Sequence, residues 1–363
     1  MTGQEGTPLR YGWTTGACAT AATTAAWTAL LTGEFPDPVE IVLPKGHRPS
    51  FALARERLAP EAATASVVKD AGDDPDVTHG ALVSATVRRG APGTGVVFRA
   101  GEGVGTITKP GLPLPVGEPA INPVPRRLMT EAVQRIAAEH GDPGDVELEI
   151  SVADGAELAR HTWNPRLGIR GGLSILGTTG VVVPYSCSAW IDSIRRGVDV
   201  ARAEGLAHVA GCTGSTSEKL VLDRYGLADE ALLDMGDFAG AVLKYLRRHP
   251  VPRLTIAGGI GKLAKLADGH LDLHSKRSQV NFALLADIAR GAGAPDELAH
   301  RIRNANTALE ALTLSQEAGL PLGDLVAARS RAVARETLRE APVEVEVLVI
   351  NRAGDLVGHA DFG

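Results

Sequence analysis

The chain has little of several things that mark out whole classes of protein. Aromatic residues make up only 4% of its 363 residues, too few for a surface that stacks bases or an interface rich in rings. Basic residues do not predominate: 37 Lys and Arg stand against 43 Asp and Glu, a net charge of −6, which offers no general attraction for nucleic-acid phosphates or anionic membranes. Neither a nucleic-acid nor a membrane partner is expected, and an anionic ligand would need a local basic pocket. Cysteine occurs three times, at Cys18, Cys187 and Cys212, an odd number without CxxC spacing, which excludes a disulfide framework and a zinc ribbon. No run approaches the roughly 18 uninterrupted apolar residues of a membrane span, and the start, MTGQEGTPLRYG, lacks a basic then apolar leader, so a cytoplasmic protein is expected. There is no GxSxG elbow, and no Ser or Cys that the sequence pairs with a base.

What is present is a soluble, glycine-rich composition, 44% hydrophobic and 22% charged. At roughly 150 residues per domain the length suggests two domains. After Thr14 and Thr15, Ala22, Ala26, Ala29 and Leu30 recur at helical spacing, and the two hydroxyls are candidate N-caps. Short runs at 39–43, 51–58, 63–69, 81–89 and 95–99 read as strands of a mostly antiparallel sheet. A helix from Met129 to Gly141 and a strand at 146–152 complete a mixed α+β domain over residues 1–187. From about Ala189 strand, glycine turn and helix alternate, which predicts an α/β domain over 188–363 with a mostly parallel sheet. Such a sheet binds ligands at the carboxyl ends of its strands. Helical patterns at 278–292, 295–318 and 323–340 lead to a last hairpin, VEVEVLVIN with DLVGHADF.

The densest signal is NPRLGIRGGLSILGTTGVVVPYS from Asn164 to Ser186. Its glycines allow positive φ and close backbone approach, the composition of a ligand-contacting turn. Two similar segments follow, GCTGSTSEK from Gly211 and AGGIGKLAKLADGHLDLHSKRS from Ala257, and one site built from several loops is the economical reading. Gly101, Gly103 and Gly105 form a GxGxG, but the prolines that follow cannot continue as a helix, so a rigid extended loop presenting Lys109 and Glu118 is expected. Ser215 and Glu218 have capping-box spacing, and the same turn could offer free amides to a carboxylate or ribose hydroxyl. The turn before Lys262 lacks GxxxxGK spacing, so no phosphate loop is read there. His270, Asp272 and His274 would share one face if extended; they are too few to declare a metal site, and no metal is assigned. Lys276 and Arg277 suit ligand carboxylates or a solvated surface. Asp237 in MGDFAG is placed at a helix start, as a cap or a ribose contact.

These segments together resemble the CbiD family, the cobalt-precorrin-5B C(1)-methyltransferases of anaerobic corrin-ring (vitamin B12) biosynthesis. The resemblance is chain-long. It runs through LRYGWTTGACATAA at Leu9, LPKG at Leu43, KDAGDDPDVTHG at Lys69, EGVGTITKPGLPLPVGEPAINPVPR at Glu102, NPRLGIRGGLSILGTTGVV at Asn164, GCTGSTSE at Gly211, MGDFAG at Met235 and GKLAKLADGHLDLHSKRS at Gly261. It implies a first domain similar to the second domain of ribosomal protein S5, an α/β second domain, S-adenosylmethionine as methyl donor and a corrin-ring intermediate as partner and substrate. Its departures are Ala17 before Cys18 and Cys187 in a variable stretch; neither cysteine is expected to be catalytic.

On that resemblance Gly171, Gly172, Gly177, Thr178, Thr179, Gly180, Gly211, Thr213, Gly214, Ser215, Asp237, Gly258, Gly259 and Gly261 are expected at the donor. Thr14, Thr15, Lys109, Arg166, Arg170, Lys262, Lys265, Lys276 and Arg277 are expected at the acidic macrocycle. His270, His274 and Asp272 are the candidates for proton loss from the ring. Methyl transfer from a sulfonium releases a neutral thioether, so alignment can supply most of the rate without an activated nucleophile. The reading from another class is a non-catalytic tetrapyrrole carrier, which would have no use for the donor. Homo-oligomerisation is left open.

Overall fold

A computed structural model of the chain describes residues 8–363, so most of the stretch read for a leader, MTGQEGT, lies outside the described residues. The chain divides into two compact units, Met1–Cys187 and Ser188–Gly363. Each is mixed α and β. Among the described residues no helix is long and apolar enough to cross a membrane.

The first unit contains β1 (Gly12–Trp13), α1 (Thr15–Thr32), β2 (Val39–Glu40), β3 (Ser50–Phe51), β4 (Arg55–Ala59), β5 (Ala62–Val68), β6 (Leu82–Arg89), β7 (Val96–Ala100), β8 (Thr106–Ile107), α2 (Pro123–His140), β9 (Val146–Val152), α3 (Gly155–Ala159), β10 (Ile169–Arg170) and β11 (Val181–Val182). Its main sheet has the order β4-β5-β6-β9-β7, antiparallel except for the parallel β7–β9 pair. Alternate residues Ala63, Ala65, Val83, Ala85, Val87, Leu148 and Ile150 form one buried face of it, as period-2 patterning requires. Against that face lies α1, buried all round because nearly every residue in it is Ala, Thr or Gly. Its buried hydroxyls, Thr20, Thr23 and Thr24, each donate to the carbonyl four residues back at 2.8 Å, so no polar group is stranded.

Several boundaries differ from those the sequence suggests. The α2 helix begins at Pro123, six residues before Met129, because Pro123 and Pro125 fall in the first turn, where missing N–H groups cost nothing. In the run 39–43 only Val39–Glu40 is strand, although the Ile41 and Leu43 N–H groups still donate to Pro49 O and His47 O, and 51–58 breaks into β3 and β4. Thr14 alone caps α1, accepting from the Ala17 N–H at 3.2 Å, while Thr15 is the first helical residue.

The second unit contains α4 (Ser188–Ala203), β12 (His208–Cys212), α5 (Ser215–Tyr225), β13 (Leu232–Leu233), α6 (Ala239–Leu246), β14 (Arg253–Gly259), α7 (Ile260–Ala267), α8 (Phe282–Gly291), α9 (Asp296–Arg303), α10 (Ala308–Glu317), α11 (Leu322–Leu338), β15 (Glu344–Ile350) and β16 (Leu356–Ala360). The helical stretch 295–318 is two helices, because Asn304–Thr307 interrupts it and Thr307 caps α10. The sheet order is β13-β12-β14-β15-β16, parallel except for the closing β15–β16 hairpin. Val209, Leu254, Ile256, Val345, Val347 and Val349 share a core with α4, α6, α7 and α11. Ala210, Cys212, Ala257 and Leu348 form the opposite face, against Val221 and Leu220 of α5.

That second face turns polar toward the amino ends of the strands. His208 Nε2 donates to Thr255 Oγ1 at 2.8 Å, and Thr255 donates to Glu346 Oε2 at 2.7 Å. Burial pushes the His208 pKa below its ordinary 6.5; Glu346 opposes the shift and Arg253 adds to it. A histidine depressed in this way takes up its proton more readily in the unfolded chain. Its contribution is therefore complete above about pH 6.5 and lost as pH falls toward the folded pKa. Thermal melts at about pH 7.5 and 5.5 are expected to show a larger fall in Tm for the natural protein than for His208→Gln; equal falls would remove His208 from the acid response.

Candidate functional site at the carboxyl ends of the parallel strands

The order β13-β12-β14-β15 places a topological switch between β12 and β14. The helix after β12, α5, packs on one face of the sheet, and the helix after β14, α7, packs on the other. A crevice at such a switch, outside the carboxyl ends of the strands, is where open α/β sheets bind ligands. The turns on its two sides are Gly211–Ser215 and Gly258–Gly261. They are adjacent: the Thr213 N–H donates to Ala257 O at 2.9 Å, and a Cβ at Gly258 would lie 2.7 Å from the Thr213 side chain.

The glycines of this site separate into two kinds. A Cβ added at Gly211 would lie 3.0 Å from Met235 Sδ and one at Gly258 would press on Thr213, so their small size serves packing. Gly214 and Gly259 have open space where a Cβ would sit. Neither needs glycine for its backbone, since Gly214 is extended and Gly259 has φ −65°. Both are N-cap residues without a side-chain cap bond, so the first amides of α5 and α7 face outward at positive helix ends. The capping box read at Ser215 and Glu218 does not form: Gly214 is the cap and Ser215 is already helical.

The loop after β13 and the segment 268–278 close the same end. Asp237 neither starts nor caps a helix, since α6 begins at Ala239; its carboxylate pairs with Lys262 instead. Burial lowers the Lys262 pKa, Lys265 lowers it further and Asp272 opposes both. Lys265 is buried and donates to Leu273 O at 2.9 Å, which makes it a brace for the segment and not an open cation. The Leu273 N–H in turn donates to Asp237 O at 2.8 Å.

His270, Asp272 and His274 do not share an extended face. Asp272 accepts from the His274 N–H at 3.1 Å and pairs with Arg277 at 2.5 Å, which curls the chain. Although burial works upward on Asp272, Arg277 and the His274 amide hold its carboxyl below the usual range, so it is a poor proton acceptor. His274 Nδ1 accepts from the Lys276 N–H at 3.1 Å, and its side chain is exposed. His270 lies 3.5 Å from Asp268.

The remaining predicted residues belong to the first unit, where most of the glycine density is architectural. A Cβ at Gly172 would collide with Gly103 O, at Gly177 with Thr14 and at Gly180 with Leu43. Gly168 lies against Lys109, whose Cβ would be 2.6 Å from an added one. Thr14 is the cap of α1, and Thr15 Oγ1 both donates to Leu176 O at 3.2 Å and accepts from the Leu176 N–H at 3.0 Å. Both threonines are buried, so they hold the loop in place from within. Thr179 bonds its own turn at Val181. Gly171, Arg170 and Thr178 are exposed, and Gly171 has open space at its Cβ position. Arg166 is half-buried. Unnoticed in the sequence was the network of His208, Thr255, Glu346, Tyr225 and His359, because its members lie on five separate elements and fit no spacing rule.

The fold is that of a two-unit mixed α and β protein whose second unit has a crevice at the switch point of its parallel sheet. The model described as CbiD matches residues 2–184, and that of the CbiD C-terminal domain matches residues 272–361. The chain belongs to the CbiD family. Among its relatives, the cobalt-precorrin-5B C(1)-methyltransferase of Rhodospirillum rubrum is 63% identical over 98% of each chain. The protein of that name from Brucella anthropi is 62% identical, covering 98% of this chain and 96% of its own. The crystal structure of the cobalamin biosynthesis protein CbiD from Archaeoglobus fulgidus is 27% identical, covers 74% of this chain and 83% of that one, and superposes with a TM-score of 0.41.

Proposed function

We propose that this chain moves the methyl group of S-adenosylmethionine to ring carbon C1 of cobalt-precorrin-5B, giving cobalt-precorrin-6A, with the donor seated in the crevice between β12 and β14. The methyltransferase activity rests on near-full-length identity above 60% to enzymes of that name. The observation that carries the donor's place is the pair of open, uncapped glycines, Gly214 and Gly259. Their amides suit the carboxylate or the ribose hydroxyls of the donor. In the transfer the S–CH3 bond breaks as the C1–CH3 bond forms, the sulfur leaves as a neutral thioether, and positive charge passes to the ring. His270 is the first candidate to take a proton from the ring, because His274, with Nδ1 accepting from the Lys276 N–H, carries its own proton on Nε2 in the neutral ring and would have to give up that bond first; Asp272 orients the turn.

The macrocycle's carboxylates need cations. Lys276 is exposed and is the first candidate; Lys262 would exchange Asp237 for a substrate carboxylate. Asp237 therefore serves both as a ribose contact and as the holder of Lys262. The finer likeness of the first unit to the second domain of ribosomal protein S5, a cytoplasmic setting and self-association belong to the same reading.

Calorimetric titration with S-adenosylmethionine and S-adenosylhomocysteine, with and without a corrinoid, tests it. Saturable binding of both is expected, weakened in Asp237→Ala. No binding in either condition would remove the donor and favour a carrier of the tetrapyrrole.

A further inference from the structure

Glu346 on β15 is fully buried, and its sole ion-pair partner among the described residues is His359. Hydrogen bonds occupy both of its oxygens. Oε1 accepts from the Tyr225 hydroxyl at 2.5 Å and from His359 Nε2 at 2.8 Å, and Oε2 accepts from Thr255 at 2.7 Å. Thr255 Oγ1 in turn accepts from His208 Nε2. Asp361 joins Glu346 and His359 with ligand atoms within 4.8 Å of one another. The Glu346 oxygens are nevertheless taken by donors, so the cluster is a hydrogen-bond junction and not a cation site.

The elements joined at this junction frame the candidate crevice at their other ends. His208 opens β12, which runs to Cys212; Thr255 lies on β14, which runs to Gly259; Tyr225 ends α5, which begins after Gly214. The α5 helix covers its face with only Ser217 and Val221 fully buried, a thin apolar hold for a helix about 16 Å long. The Tyr225 hydroxyl supplies the fixed point that this packing lacks.

We propose that Glu346 is a positioning residue that, through Tyr225 and Thr255, holds α5 against β14 so that Gly214 and Gly259 keep the spacing the methyl donor requires. The inference rests on the placement of the donor in this crevice. A buried carboxylate with three donors has one low-energy arrangement, and losing one donor leaves α5 free to rock about its weak apolar contact.

The test compares Tyr225→Phe, which keeps the ring and loses the donor, with Glu346→Gln, using Gly214→Asn as a control in the crevice itself. Both junction variants are expected to raise KM for S-adenosylmethionine and Kd for S-adenosylhomocysteine about tenfold while kcat stays near that of the natural protein. A fall in kcat at unchanged KM would mean only a smaller folded fraction and would overturn the positioning role. Unchanged Kd in both junction variants, with binding lost in Gly214→Asn, would overturn it too while leaving the crevice standing. Normal binding in Gly214→Asn would sink the crevice and the positioning role with it. Should Glu346→Gln fail to fold, Tyr225→Phe carries the comparison alone.

Discussion

Asparagine at Gly214 or at Gly259 is expected to weaken donor binding roughly 100-fold while leaving the protein as stable as before, or slightly more so. The expectation follows from a conflict between two uses of the same amides. Asn is among the best N-cap residues, and Gly is no better than comparable, so a helix selected for stability alone gains nothing from glycine there. Both positions have room for a side chain and backbone angles that any residue accepts. An Asn side chain would bond the first-turn N–H groups of α5 or α7 itself and fill the space above them. A ligand that approaches those amides would lose its bonds and meet the new side chain, a penalty of about 3 kcal/mol or roughly 100-fold in Kd. Calorimetry with S-adenosylhomocysteine, beside a thermal melt, separates the two effects. Wild-type affinity in both variants would show that the glycines are bystanders and move the donor elsewhere.

The distinction between open and packed glycines also explains what the sequence could and could not disclose. Strands in which Val, Ala and Thr alternate, and helices bounded by Gly141 or Thr14, were legible because period and capping are local properties. The parallel second sheet was legible from its rhythm of strand, turn and helix. The stretch from Asn164 to Ser186 was legible as unusual, but its cause was not. Gly172, Gly177 and Gly180 are small because Gly103, Thr14 and Leu43, far away in sequence, come against them. A close approach between distant backbones leaves the same glycine signature as a ligand does. The curl at 270–277 was hidden for a related reason: it is set by the pair Asp272–Arg277 and by the brace from Lys265 to Leu273. No periodicity announces either. Even the capping-box spacing at Ser215 misled by one residue, because Gly214 occupies the cap and leaves the first amides of α5 open.

The segment KDAGDDPDVTHG, by contrast, looks chemical and is structural, and Asp76→Ala should show it. Lys69 is 2% exposed, and its ammonium lies 2.7 Å from Asp76 Oδ2. Asp76 Oδ1 accepts from the Thr78 N–H at 2.8 Å and from the Thr78 hydroxyl at 2.6 Å. Burial pushes the Asp76 carboxyl up, but Lys69 and Thr78 more than offset it and hold the pKa below its usual value. The pair's contribution is thus complete at neutral pH and lost only as pH falls through that depressed value. Removing the carboxylate leaves a buried ammonium uncompensated, at a cost of about 3–5 kcal/mol, a large part of the 5–15 kcal/mol typical of a whole domain.

The damage would spread, because this segment fastens the start of the chain. The Trp13 N–H donates to Asp70 O at 2.7 Å, the Asp73 N–H donates to Arg10 O at 3.0 Å, and Gly12 lies so close to Ala71 that a Cβ would collide with it. Trp13 in β1 pairs with Val181 in β11, so the loop that ends at Gly180 should loosen as well. Urea unfolding is expected to show a marked fall in midpoint for Asp76→Ala. Lys69→Met combined with Asp76→Ala should recover most of it, since an apolar replacement of both partners strands no charge. If Asp76→Ala stays within about 1 kcal/mol of the natural protein but loses methyl transfer, the segment is part of the chemistry after all.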